Sequence, residues 1–343
     1  MARKNPESPN YLPIIKWQKW EQKALSEIFS EIKSEVTPCI EIRDSSQHKN
    51  LVKNFQDVWN APALIDYADP RGVLTQTRQS DLYEFLCHAV KEGFDVSPVF
   101  GPTEIKRAST ALISLATSFS EVSIRLRTSL AQLPLSEQTF NELRDARSAI
   151  PQGKNTRFIL DLGNPPQAWD ASNIGYLKAT LINAKALGFN SVYLASGAYP
   201  DDLSFIKTGY GEIPRQDWAL WQTLNTSTPE LGIGYSDYGI LSPQWTEEAL
   251  IRMSSRISIR YTRSNDWLIL RADGKTKDDS IAISQILVTT FQNDFQGLGF
   301  SFGDNIIHHR ADSSAPKKDK LCGHYHIAEG WSHHMAHVIK IQY

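Results

Sequence analysis

Charged residues recur at the ends of short β-like runs in this 343-residue chain. Lys16 closes YLPIIK (11–16), and Glu41 and Arg43 stand two apart in PCIEIR (38–43). Asp66 follows ALI in PALIDYA (62–68), and Arg125 and Arg127 stand two apart in VSIRLR (122–127). Asp161 follows FIL in TRFILDLG (156–163), and Asp237 ends LGIGYSD (231–237). Residues two apart in a strand share a face, and a charge on a buried strand is costly unless it is paired or used. Two chemistries fit. In one, Lys16, Arg125 and Arg127 clamp an oxyanion, since guanidinium forks match carboxylate and phosphate. Asp161, Glu41 or Asp66 then serve as general base or metal ligand. In the other, the same charges neutralise one another as a ring of ion pairs that plugs the site.

The closing stretch CGHYHIAEGWSHHMAHVIKIQY (322–343) holds five of the nine histidines. Cys322, His324 and His326 alternate as in a strand, and His334 and His337 lie three apart, but no spacing is that of a zinc finger or of HExxH. A structural zinc site is therefore not expected. The expected element is a final helix from about Gly330, with Trp331, His334, Val338 and Ile341 on one face. Asp237, His333 and His334 are candidate ligand-binding residues, because a segment after the last strand can fold over the charged ends. No GxxxxGK loop is present and no GxGxxG follows the first strand, so nucleotide binding by those modes is unsupported. A Schiff-base role for Lys16 lacks a phosphate-cradling Gly/Ser loop near strands seven and eight. No cofactor is identified.

The elements that would position these charges alternate β-like runs with amphipathic helical ones. Leu25, Ile28, Phe29 and Ile32, for example, fall on one helical face after the first run. Eight such units, at 11–16, 38–43, 62–68, 95–100, 122–127, 156–163, 191–196 and 231–237, predict a (β/α)8 TIM-like barrel, whose strands carry the active site at their C-terminal ends. RISIRYTR (256–263) and DWLILRA (266–272), joined by a Ser-Asn turn, predict a β-hairpin inserted after strand eight. A helix from about 278 to 291, a Gly-rich loop and a polar segment at 311–320 follow. Residues 1–10 read as a flexible tail and 11–343 as one barrel domain. Trp218 and Trp221, three apart in the seventh connection, are either core or an exposed apolar patch for a partner.

Composition narrows the setting. Apolar residues make up 41% and charged residues 22% of the chain, a globular balance, and the net charge of −2 lacks the excess that whole-surface nucleic-acid binding needs. Three cysteines without framework spacing, and no signal-like N-terminal stretch, predict a cytoplasmic protein. No apolar run approaches the roughly 18 residues that cross a bilayer.

Several segments together resemble the prokaryotic and phage "beta" protein family: YLPIIKWQKWEQKAL (11–25), TPCIEI (37–42), GYSDYGILSP (234–243), IRYTRSNDWLILRADG (259–274), GDNII (303–307) and GWSHHMAHVIKIQ (330–342). The resemblance is carried by Lys16 with Glu21, Pro38 with Glu41, Asp237-Tyr238-Gly239, and Trp331 with His333 and His334. Cys322, His324 and His326 depart from it, as does the Ala-Asp after Arg271. The resemblance implies a mobile-element or phage-related context and a role in phage conflict, with no established reaction. The expectation is a phage-defence or mobile-element barrel protein that binds an anionic, phosphate-containing ligand at its mouth, with hydrolysis as one reaction open to it. The alternative is a noncatalytic recognition subunit for a phage protein or partner effector.

Overall fold

The computed structural model describes residues 10–69, 71–164, 168–244, 256–316, 318, 320–322 and 325–343. Most of the expected tail, residues 1–9, lies outside the described residues, as does His324.

Eight parallel strands close into a barrel: β1 (Leu12–Lys16), β2 (Cys39–Glu41), β3 (Ala63–Asp66), β4 (Val96–Phe100), β5 (Glu121–Arg127), β6 (Asn155–Asp161), β7 (Ser191–Ser196) and β9 (Gly234–Asp237), with β9 pairing back onto β1. Helices cover the outside, so the chain is the (β/α)8 barrel its alternation predicts. Strand alternation sorts the side chains. Leu12, Ile14, Cys39, Leu64, Val99, Ile159, Tyr193 and Ala195 fill the interior. Ile15, Ile40, Ile65, Ile124, Phe158, Leu160 and Leu194 pack outward against the helices. Gly234 is needed where it stands, because a Cβ there would lie 2.3 Å from the Tyr193 ring inside the barrel. Helix starts are fixed locally: the Asp44 carboxylate accepts from the backbone N–H of Ser46 at 2.9 Å and of Gln47 at 3.0 Å, opening the helix Ser45–Val58.

A second, three-stranded antiparallel sheet lies outside the barrel. Its hairpin, β10 (Ser258–Thr262) and β11 (Asp266–Arg271), falls within the expected residues 256–272. Its third strand, β8 (Gly209–Pro214), comes from the connection between β7 and β9 and pairs with β11. GYGEIP gives little strand signal, since two glycines and a proline weaken it and most of it is exposed. One face of this sheet, with Ile213, Trp267 and Ile269, joins the core shared with the barrel. The other, with Ile259, Tyr261, Leu268 and Leu270, packs on Ile283, Leu287 and Ile307, which belong to the helices Lys277–Thr290 and Phe302–Ala311. The second of these forms where a Gly-rich loop was expected; the Ser301 hydroxyl caps it by accepting from Asp304 N. The terminal helix His326–His337 starts four residues before Gly330 and widens into a π-turn at Val338–Gln342. Trp218 and Trp221 stack at 4.9 Å and lie against Tyr235, both buried, and so present no exposed patch.

Candidate functional site at the barrel mouth

Arg125 projects into the barrel from β5 and meets acids from three other strands. Its Nε and Nη2 donate to Asp161 Oδ2 at 3.0 and 2.8 Å, and its Nη1 donates to Glu41 Oε1 at 2.8 Å and Asp66 Oδ2 at 2.7 Å. Nη2 also donates to the Tyr238 hydroxyl at 2.7 Å, whose own O–H donates to Asp161 Oδ2 at 2.8 Å. Arg127 adds a bond from Nη2 to Asp66 Oδ2 at 2.7 Å. The remaining oxygens of Asp66 and Asp161 accept the backbone N–H of Ala68 and Gly163. Tyr238 can lie over this group because Gly197 faces it; a Cβ there would come within 2.9 Å of the ring.

The side chain of Arg125 has no solvent exposure. Burial alone would weaken its charge, but Tyr238, Asp161, Glu41 and Asp66 raise its pKa well above the usual arginine value. Burial likewise works against the Asp66 charge, and Arg127 and Arg125 outweigh it, holding the carboxyl below its ordinary range. Glu41, Asp66, Asp161, Arg125 and Arg127 thus converge as expected, and the guanidinium of Arg125 is satisfied by protein acceptors. An oxyanion arriving here would have to displace carboxylates. A base drawn from Glu41, Asp66 or Asp161 would first have to leave the guanidinium.

Lys16 was expected beside Arg125 and Arg127. Its Nζ instead donates to the carbonyls of Ser242 and Gln244, each at 2.8 Å, a cradle supplied by the segment after β9. Glu21, in the helix Lys19–Ser26, is nearly buried and is a mouth acid that residue-by-residue reading left without a role. Burial pushes its carboxyl up to about 7, against the pull of Lys16 and Arg260. The available signal was its place five residues after Lys16 in the family motif. Arg127 keeps 15% of its side chain exposed, and its Nη1 has no hydrogen-bond partner.

Two cavities flank the mouth. One of about 240 Å³ is lined by Arg43, Asp44, Ser45, Tyr67, Thr75 and Arg78 among others. The other, about 190 Å³, is lined by Asn164, Gly197, Ala198, Tyr199, Pro200 and Asp201. Neither is lined by Arg125, Glu41, Asp66 or Asp161. Among the described residues no group of three His, Cys, Asp or Glu side chains is placed to hold a metal ion, and no helix is long and apolar enough to cross a membrane.

Asp237, His333 and His334 form a separate network and do not reach over the mouth. Interior positions of β9 fall to Gly234 and Ser236, so Tyr235 and Asp237 face outward, toward the terminal helix. Asp237 Oδ1 accepts the Tyr11 hydroxyl at 2.5 Å and Gly239 N at 3.1 Å; Oδ2 accepts the Tyr235 hydroxyl at 2.7 Å and pairs with His334 Nε2 at 2.8 Å. His334 Nδ1 lies 2.9 Å from the Thr262 hydroxyl. Carboxylate, imidazole and hydroxyl stand in the order of a hydrolytic triad, but Asp237, His334 and Thr262 are all fully buried, without a surface for substrate. They join barrel, terminal helix and outer sheet instead. His333 bridges Asp304 Oδ2 and the Thr262 carbonyl, each at 2.9 Å, and Arg310 pairs with Glu329, to which His326 is adjacent.

Burial raises the Asp237 carboxyl, but its bonds to His334 and Tyr11 and the Arg215 charge outweigh burial and hold it below the ordinary carboxylate range. Burial lowers the His334 pKa more than Asp237 raises it. The pair is therefore a carboxylate accepting a hydrogen bond from the Nε2–H of a neutral imidazole.

Residues 11–340 match the family model described as Beta protein. Among solved structures, the CutC protein of Streptococcus agalactiae is similar at 13% identity and a TM-score of 0.34, over 67% of this chain and 99% of that one. The spore cortex-lytic enzyme SleL of Bacillus megaterium is similar at 11% identity and a TM-score of 0.33, over 84% of this chain and 70% of that one. No curated protein matches the chain.

Proposed function

The chain belongs to the Beta protein family, and from that premise we propose that it is a noncatalytic recognition barrel for a phage protein or partner effector. The setting, cytoplasmic phage defence or a mobile element, is part of the proposal. The observation that carries it is the closure of the mouth: every nitrogen of Arg125 is bonded to Glu41, Asp66, Asp161 or Tyr238. An anion clamp needs donors directed at open space, and a general base needs a lone pair facing substrate. The Arg125 group offers neither.

One feature favours a second reading, the anionic ligand. Arg127 Nη1 is buried and unpartnered beside the Arg125 group, a donor that an oxygen of a phosphate-containing ligand entering past the part-exposed Arg127 side chain would satisfy. Calorimetric titration with pyrophosphate separates the two readings. The recognition reading expects no saturable binding to the intact chain. Saturable binding that Arg127→Ala weakens tenfold or more, in a protein that stays folded, would overturn it in favour of the anion site.

A further inference from the structure

In the outer sheet, order β10-β11-β8, one long side of β8 meets β11 and the other meets no strand among the described residues. Its hydrogen-bonding groups can be assigned. Arg215 N donates to Asn265 O at 2.8 Å, directly beyond the pair Asp266 with Pro214. Hydrogen-bonded and non-hydrogen-bonded pairs alternate along an antiparallel ladder. Ile213 and Gly211 therefore exchange bonds with Trp267 and Ile269, while Tyr210 and Glu212 turn their N–H and C=O groups away from the sheet. Among the described residues no strand covers that edge, and its side chains stay largely open: Tyr210, with one side of its ring against Phe291, is 64% exposed, and Phe205 in the preceding turn is 61% exposed. Unpaired edges of this kind receive a further strand.

We propose that the occupant is the β8 strand of a second copy, antiparallel across a two-fold axis, making one six-stranded sheet from two chains. This goes beyond the recognition reading and does not depend on it.

The edge is self-complementary in one register. With Gly211 facing Gly211 at the axis, Tyr210 of each chain pairs with Glu212 of the other. Four N–H···O bonds form and the axis carries no Cβ, while the Glu212 carboxylate keeps its bond to Arg263 and the Tyr210 ring its edge contact with Phe291 within each chain. Shifting so that Glu212 meets Glu212 sets like charges opposite each other and brings in Pro214, which has no N–H to give. Shifting the other way leaves Glu212 across from Thr208, outside the strand. An isologous contact of this kind closes at two chains.

Sedimentation of the full chain from roughly 1 to 100 µM tests the proposal. A monomer–dimer equilibrium is expected. Tyr210→Pro and Glu212→Pro each delete an outward N–H without touching the ladder to β11, and should raise the dimer Kd at least tenfold with circular dichroism unchanged. The register is tested by oxidation in a Cys87→Ser, Cys322→Ser background. Directly opposed hydrogen-bonded residues lie about 5.5 Å apart, within disulfide reach. The double variant Tyr210→Cys, Glu212→Cys should therefore crosslink two chains, and neither single variant should. A monomer throughout, proline variants that dimerise as the wild type does, or crosslinking of either single variant would overturn the proposal. So would a monomer whose β8 edge takes up an unrelated extended peptide.

Discussion

Two buried polar networks serve different parts of this molecule, and they are built from different chemistry. Inside the barrel, Arg125 holds Glu41, Asp66 and Asp161. Outside it, His334 links Asp237 on β9 to Thr262 on β10. The first sets carboxylates around an arginine that stays protonated at any pH the fold tolerates. The second depends on an imidazole that burial keeps neutral. The interior of the barrel thus spends a guanidinium on neutralising its own carboxylates, whereas the terminal helix is fixed by a group that titrates. The mouth should be the element most damaged by mutation, and the terminal helix the one most sensitive to acid.

The largest effect is expected at Arg125. Arg125→Ala strands three buried carboxylates, and removing one partner of a buried pair costs about 3–5 kcal/mol; urea denaturation should show a loss of that size. A loss under about 1 kcal/mol would mean that water reaches the carboxylates and the mouth opens. His334→Ala removes a bond to an ionised Asp237 and another to Thr262, and should cost about 2–3 kcal/mol by the same measurement. Equal losses at the two sites would remove the distinction drawn between them.

Acid should act through the histidines. His337 is nearly buried, neither ring nitrogen has a partner, and burial pushes its pKa down to about 2. A histidine whose folded-state pKa lies below its unfolded value, about 6.5, binds more protons when unfolded. Stability therefore falls as pH drops below about 6.5, by up to about 1.4 kcal/mol per pH unit. His337→Leu should leave stability at pH 7 little changed and flatten the decline between pH 6 and 4. Glu21 works in the opposite direction: its raised pKa makes its contribution fall as pH rises from about 4.5 to about 7. Glu21→Gln should thus steepen the acid decline, and melting temperatures across that range would show both. The smallest expected effect is that of proteolysis. Strands on both sides of residue 150 belong to one closed sheet, so brief trypsin treatment should not release two folded halves there; release would refute a single barrel domain.

The strands of the barrel were legible because each couples a β-like run to a helix-period run, and β7 (Ser191–Ser196) falls where its run does. Glu41, Asp66, Arg125, Arg127 and Asp161 were legible as a convergent set, since a charge at the end of a buried strand faces the mouth or its rim. β8 was not, because Gly209, Gly211 and Pro214 erase its pattern and its place in the sheet depends on β11, more than fifty positions later. His334 was read toward the mouth because nothing local reveals which side of β9 the terminal helix packs on.

Side-chain identity and period by themselves determined the alternation of the barrel, the burial of Trp218 and Trp221 as one of two readings, and the set of charges facing inward. Whether those charges bind a ligand or one another was decided only by closure. Arg125 and Glu41 stand 84 positions apart in the chain. Bringing β5 within reach of β2, β3 and β6 sets the distances, and at 2.7–3.0 Å in a dry interior the carboxylates are nearer partners for the guanidinium than any solute from solution. In the same way, outward-facing Asp237 became an anchor for the last helix because tertiary packing put His334, Tyr11 and Tyr235 around it, where a buried carboxylate needs donors on all sides.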